Sequence, residues 1–314
     1  SALLLLPVAA TAQLTITGID GELEQNVRSF VSLASEPCDA EPWRVRRRFR
    51  SLVEEARKAL EPYGYYEPHI DASLGAKDEC WEVSLVVDPG EPVRLRNIDI
   101  ELTGAATRDP EFDDLLQPGT LRSGAVLRHT YYDNFKRALQ VRAAERGYVE
   151  AIFKDSRLDI WPDEHAADIT VRFDSGPRYR MGEIRQDQSV LEPALVSGMM
   201  DLKPGAPFDG REIARAYRDL SNSGYFSRIE VVPETDRAED QAIPIRVSLQ
   251  PANRIEYTVG VGVSTDTGPR FRAGHRNNRI NTKGHRLISD LSVSPVVQGI
   301  NSEYRIPLRD PRTE

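Results

Sequence analysis

The sequence is poor in the residues from which chemical centres are built. It has two cysteines and three methionines among 314 residues, and its five histidines never fall at metal-ligand spacing. His69, His129, His165, His275 and His285 make no His-x-x-x-His pair, so a zinc centre of that kind is excluded. The acidic knot of Asp163, Glu164, His165 and Asp168 lies between two strand patterns and reads as a polar hairpin loop. There is no glycine loop ending in Lys-Ser/Thr and no Gly-x-Ser-x-Gly. We therefore expect no enzyme activity, metal or cofactor. No apolar run reaches eighteen residues, which excludes a transmembrane helix. The formal charge of −8 argues against a nucleic-acid binder, which needs a basic footprint.

What is present is a globular composition, 39% hydrophobic and 29% charged. The charge is uneven. Residues 253–314 hold ten Lys+Arg and six Asp+Glu, a net +4, which leaves −12 on residues 1–252. The first residues, "SALLLLPVAATAQ", run from an apolar stretch to Ala10-Thr11-Ala12, an Ala-x-Ala cleavage signal before Gln13. Residues 1–12 are expected to be the remnant of an export signal whose basic start is not in the sequence. In an oxidising compartment Cys38 and Cys80 should pair, the alternative being two separate buried thiols.

One pattern recurs three times. Gly64-Tyr65, Gly147-Tyr148 and Gly224-Tyr225 each follow an amphipathic helix pattern. The helical faces are Val45, Phe49, Leu52, Ala56 and Ala59, then Tyr132, Phe135, Leu139 and Ala143, then Ile213, Tyr217 and Leu220. Each Gly sits where a helix needs a left-handed residue after its end, and each Tyr is expected to open the next strand. Period-two strands follow at Trp81/Val83/Leu85/Val87, Ile169/Val171/Phe173 and Ile243/Ile245/Val247/Leu249. The strand after each Gly-Tyr is less regular, so a bulge or edge strand is expected there. At the junctions, "DPGEPVRLRNI" (88–98) and "DSGPRYRMGEI" (174–184) share a turn and an apolar-Arg-apolar run. Further on, Leu121-x-x-Gly124-x-x-Leu127 matches Leu202-x-x-Gly205-x-x-Phe208.

The unit is thus strand, helix, helix, strand, strand, at 13–90, 91–176 and 177–252. This β-α-α-β-β order with a Gly-Tyr helix exit resembles the polypeptide-transport-associated (POTRA) domain. The expected class is α+β, three tandem units, each a small sheet with two helices on one face and a free edge that could accept another chain's strand. A plain spacing scaffold is the alternative.

From Arg254 the texture changes. Ile255, Tyr257, Val259, Val261 and Val263 alternate with Glu256, Thr258, Gly260, Gly262 and Ser264. Phe271, Ala273 and His275 alternate with Arg270, Arg272 and Arg276, and Leu287, Leu291, Val293, Tyr304, Ile306 and Leu308 continue the apolar series. Strands of about ten residues with one apolar face are the signature of a transmembrane β-barrel. Residues 253–314 hold about four, where the smallest barrels need eight. The pattern is therefore expected to continue past Glu314.

Thr267-Gly268-Pro269-Arg270, Gly284-His285 and Tyr304-x-Ile306-Pro307-Leu308 resemble the barrel start of the TamA family, outer-membrane subunits of a translocation and assembly module. The sequence departs from that family at His275, Asn278 and Arg279-Ile280, where the family tends to carry Trp and Pro-Trp. The resemblance implies an assembly factor in the outer membrane of a Gram-negative bacterium, with its POTRA units in the periplasm. It implies a TamB-like periplasmic partner, outer-membrane lipid around the barrel, and clients that are outer-membrane β-proteins such as autotransporters. Pairing with clients would use POTRA edges and a barrel seam at Ile255, Tyr257, Val259, Gly260, Val261, Gly262 and Val263, where the two glycines could weaken closure. A two-partner secretion pore, a BamA-like general insertase and a periplasmic adaptor with a soluble tail are the alternatives. The run "RVRRRFR", with Arg44, Arg46, Arg47, Arg48 and Arg50, is either a solvated helix face or a docking patch for an acidic partner.

Overall fold

The structure, a computed structural model, describes residues 11–77, 80–117, 119–265 and 268–307. Residues 1–10 of the expected export signal, Thr267 and Leu308 lie outside the described residues. By compactness the chain divides into two units. The first is residues 1–103, 107–141 and 152–174; the second is 104–106, 142–151 and 175–314.

One topology is used three times. The first repeat runs β1 (Gln13–Thr17), α1 (Gly21–Phe30), α2 (Pro42–Leu60), β2 (His69–Lys77) and β3 (Cys80–Asp88). The second runs β4 (Arg94–Thr103), α3 (Asp113–Leu116), α4 (His129–Glu145), β5 (Ile152–Trp161) and β6 (Ala166–Asp174). The third runs β7 (Arg180–Asp187), α5 (Pro193–Met200), α6 (Gly210–Asn222), β8 (Phe226–Pro233) and β9 (Ala242–Pro251). In each the last strand is central, antiparallel to the strand before it and parallel to the repeat's first strand, giving β1-β3-β2, β4-β6-β5 and β7-β9-β8. The period-two residues occupy those central strands, where Val83, Leu85, Val87, Ile169, Val171, Phe173, Ile243, Ile245 and Val247 are all buried. A central strand has one face under the helices, so alternate side chains are buried and the others are not.

The strands after Gly-Tyr are edge strands, and two are irregular: register shifts fall at Phe153/Asp155 and Phe226/Arg228, while β2 pairs without one. One helical face differs from expectation. Tyr217 is 48% exposed, and Ala216 takes its place in the core between Ile213 and Leu220. Positions 213, 216 and 220 lie on one stripe of α6, and 217 lies about 100° beyond 216 around the helix. Ala12, expected as the last residue of the export signal, is buried, and its N–H donates to Glu36 O at 2.8 Å. It therefore packs as part of the first repeat.

After the third repeat comes a four-stranded antiparallel sheet, β10 (Ile255–Ser264), β11 (Gly268–Asn277), β12 (Arg286–Val293) and β13 (Gln298–Arg305), which among the described residues does not close.

Candidate functional site

The register of this last sheet sorts its side chains cleanly. Val259, Ala273, Leu291 and Ile300 stand in one row across the four strands, and Val261, Phe271 and Val293 in the next. Arg270, Arg272 and Arg276 fall on the opposite face with Gly262, Gly260 and Glu256. The apolar face is bare: Tyr257, Val259, Val261 and Val263 are 70–84% exposed. Among the described residues β10 pairs with β11 alone, so its other edge carries unsatisfied backbone groups. An added Cβ at Gly260 would meet nothing within 4 Å, so packing does not require that glycine. Asn278, at one of the departures noted above, is buried and ties the foot of the first hairpin. Its amide donates to Asn253 O (3.1 Å) and Glu256 Oε1 (3.0 Å).

The Gly-Tyr turns do more than end helices. Gly64 has φ +94°, and its carbonyl accepts from Val93 N–H at 2.8 Å. Val93 O then accepts from Leu127 N–H (2.8 Å), and Leu95 pairs with Ala125 and Gly124 through bonds of 2.8 and 2.7 Å. In the second unit Gly147, at φ +81°, repeats the ladder. Gly147 O accepts from Tyr179 N–H (2.9 Å), Tyr179 O from Phe208 N–H (3.0 Å), and Met181 pairs with Ala206 and Gly205 at 2.8 and 2.7 Å. The apolar-Arg-apolar run and the Gly-x-x-apolar run are therefore two strands of one short ladder, with the helix-end glycine as its first rung. Contact is close. A Cβ on Gly64 would lie 2.6 Å from Leu127 O, and one on Gly147 would lie 2.7 Å from Phe208 Cβ.

The third turn meets the last sheet. Tyr225 O–H donates to Gly284 O, and the Arg286 guanidinium stacks 3.7 Å from the Tyr225 ring centroid while donating to Ser223 O. Gly284 has φ +76°, and a Cβ there would lie 2.9 Å from the Tyr225 hydroxyl. Tyr65 and Tyr148 do not open strands as expected, since β2 and β5 begin only at His69 and Ile152, whereas Tyr225 directly precedes β8, which begins at Phe226. At the Gly64 and Gly147 turns the glycine carbonyl is taken by Val93 or Tyr179 N–H of the next repeat, and the chain leaves the turn before it joins its own sheet.

Two further groups sit at the first of these junctions. The Tyr66 hydroxyl lies 2.5 Å from His129 Nε2 at the start of α4. Burial, and secondarily Glu61, raises the Tyr66 pKa far above the ordinary phenol value, so Tyr66 stays a neutral phenol beside His129. Burial depresses the His129 pKa, against the pull of Asp133 and Glu61. A histidine depressed in the folded state contributes stability above its unfolded value of about 6.5, and that stability is lost as pH falls through the folded value. The urea midpoint should therefore drop more between pH 7.5 and 5.5 in the native chain than in His129→Gln; equal slopes would refute the assignment.

The arginine run divides. Arg44 and Arg48 both bind Glu36, whose side chain is 1% exposed, at 3.0 and 2.5 Å, whereas Arg46, Arg47 and Arg50 are exposed on α2. Cys38 and Cys80 are joined as a disulfide with Cα atoms 4.2 Å apart, and the Thr11 carbonyl lies within 3.5 Å of both sulfurs. In the acidic knot, Glu164 and Asp168 accept from Arg96 at 2.9 and 3.0 Å, a structural clasp across β4 and β6. Sequence reasoning missed the junction residues Phe208, Val93 and Tyr179. Their only signal was the repeated motif, which does not say what it touches.

Residues 13–89 match the family model described as POTRA domain, TamA domain 1. The first repeat is matched to a TamA-type POTRA domain. Among solved structures, the chain is similar to BamA from Haemophilus ducreyi lacking POTRA domains 1–3, at 19% identity and a TM-score of 0.57. That match covers 69% of this chain and 41% of the BamA chain. BamA POTRA3–5 from Haemophilus influenzae matches at 18% identity and a TM-score of 0.44, over 77% and 96% of the two chains. CdiB from Acinetobacter baumannii matches at 13% identity and a TM-score of 0.39, over 68% and 40%. The likeness to the first BamA structure is one of fold, POTRA-like units followed by antiparallel strands, and this chain spans less than half of that relative's length.

Proposed function

We propose that the chain belongs to an outer-membrane assembly factor that inserts or secretes β-barrel proteins such as autotransporters, without covalent chemistry. On this reading, residues 13–90, 91–176 and 177–252 are three periplasmic POTRA domains, and residues 253–314 are the first strands of a barrel in the outer membrane. The observation that carries it is β10: a strand with a bare apolar face, a Gly-rich polar face and one unpaired edge, downstream of three POTRA-like repeats. A client strand that pairs with such an edge enters lipid with its backbone groups satisfied, where each naked group would cost several kcal/mol. The free edges of the three small sheets offer the same pairing upstream. The TamA-type match of the first repeat supports a TamB-like partner on the periplasmic side.

Single cysteines at Ile255, Tyr257, Val259, Val261 and Val263 test the seam. In membranes making an autotransporter barrel, they are expected to crosslink to the nascent client. An absence of crosslinks, with the barrel's own ends pairing normally, would overturn the seam mechanism.

A further inference from the structure

The helix α2 exposes a surface that the rest of the fold leaves unused. At 3.6 residues per turn, Trp43, Arg46, Arg47 and Arg50 fall on one stripe, opposite the buried Val45, Leu52 and Ala56. Trp43 is 64% exposed. The neighbouring charges are already answered: Arg44 and Arg48 hold Glu36, and Glu54, which follows on the same stripe, has Arg57 at 3.8 Å and Lys58 at 3.7 Å. Among the described residues no acid reaches Arg46, Arg47 or Arg50.

We propose that Trp43, Arg46, Arg47 and Arg50 form a docking stripe for an acidic, extended segment of a periplasmic protein partner. Three guanidiniums are planar forks suited to carboxylates, and an exposed Trp among them supplies a flat apolar anchor. Arg50 stands about 10 Å along the axis from Trp43, at about 1.5 Å per residue. An extended chain covers that distance in about three residues. On an extended segment the side chains share a face at every second residue, about 6.6 Å apart, close to the roughly 6 Å along the axis between Arg46 and Arg50. Acids spaced by two would therefore face the arginines, with an apolar side chain beyond them against Trp43.

Net charge decides between a peptide and a lipid surface. Residues 13–90 hold nine Lys+Arg and fifteen Asp+Glu, a net −6. An anionic bilayer would meet that excess over its whole area of contact, whereas a narrow segment lies within the basic stripe. The stripe takes from the proposed function only its place in the periplasm.

The test uses the full chain in neutral detergent. The probe is a fluorescein-labelled peptide of twelve residues with Glu at alternate positions and a single Phe near one end, read by anisotropy. Saturable binding that weakens with added salt is expected, at least tenfold weaker in Arg46→Glu/Arg47→Glu/Arg50→Glu and several-fold weaker in Trp43→Ala. Equal affinity in the triple variant, or for the same peptide with Gln in place of Glu, overturns the proposal. So does stripe-dependent sedimentation with phosphatidylglycerol vesicles, or stripe-dependent self-association, when the peptide does not bind. If the triple variant fails to fold, Arg47→Gln and Trp43→Ala are read instead, each expected to weaken binding at least threefold. Peptide binding without seam crosslinks would remove the assembly reading and keep the stripe; seam crosslinks without peptide binding would remove the stripe alone.

Discussion

Replacing Gly147 by alanine is expected to loosen the junction it forms by about 3 kcal/mol. Two terms add. A residue with a Cβ at φ +81° carries about 1–2 kcal/mol of left-handed strain. The new methyl would also lie 2.7 Å from Phe208 Cβ, and overpacking of that kind costs about 1–3 kcal/mol. Gly205 separates the two terms, because its φ is +83° and an added Cβ there meets nothing within 4 Å. Amide exchange of Tyr179 is the readout, since its N–H is donated to Gly147. We expect exchange roughly a hundredfold faster in Gly147→Ala and about fivefold faster in Gly205→Ala. Equal effects in the two variants would mean that the contact with Phe208 contributes nothing.

The second large effect belongs to the disulfide. Cys38 and Cys80 are 42 residues apart, and a loop of that length corresponds to about 4 kcal/mol in the chain-entropy account. A repeat of this size buries a small core, so that amount is a large part of what holds it together. Cys38→Ala/Cys80→Ala should lower the urea midpoint of the first repeat by about 2 M, at a slope of about 2 kcal/mol per molar. Trp43 and Trp81 report that repeat by fluorescence. An unchanged midpoint, or two titratable thiols in the oxidised native protein, would contradict the expectation.

The parts of the fold written in the sequence are those with local causes. Period-two burial at Ile243, Ile245 and Val247 marks a central strand because each residue's face depends only on its own position. Gly64, Gly147 and Gly224 are legible as helix ends because only glycine takes positive φ freely. The partners of those glycines were not legible. Val93 and Tyr179 reach the turns, and Leu127 and Phe208 reach Val93 and Tyr179, through backbone bonds, which leave no requirement on residue type beyond general apolarity. Tyr217 was misplaced because the third helix pattern was short, and a large side chain drew the face away from the smaller Ala216. The arginine run could be divided only once Glu36 was seen to be buried between Arg44 and Arg48. The apolar face of the last sheet was readable residue by residue, since a register of ten paired positions carries the alternation across β10 and β11 unbroken.

The strand order of the repeats also governs when each can form. Among the described residues β1 pairs with β3 alone, and Gln13 meets Glu82, which lies 69 positions further along the chain. The opening strand of each repeat therefore waits, unpaired, until the closing strand has been delivered, and pairing across such a span is intrinsically slow. For a chain delivered from its N-terminus, this makes each repeat an all-at-once event. The first could not settle before Asp88, and Val93, which joins Gly64, follows within five residues. Closure of one repeat and capture of the next would then be nearly simultaneous, and the tandem repeats would assemble stepwise in the order in which they arrive.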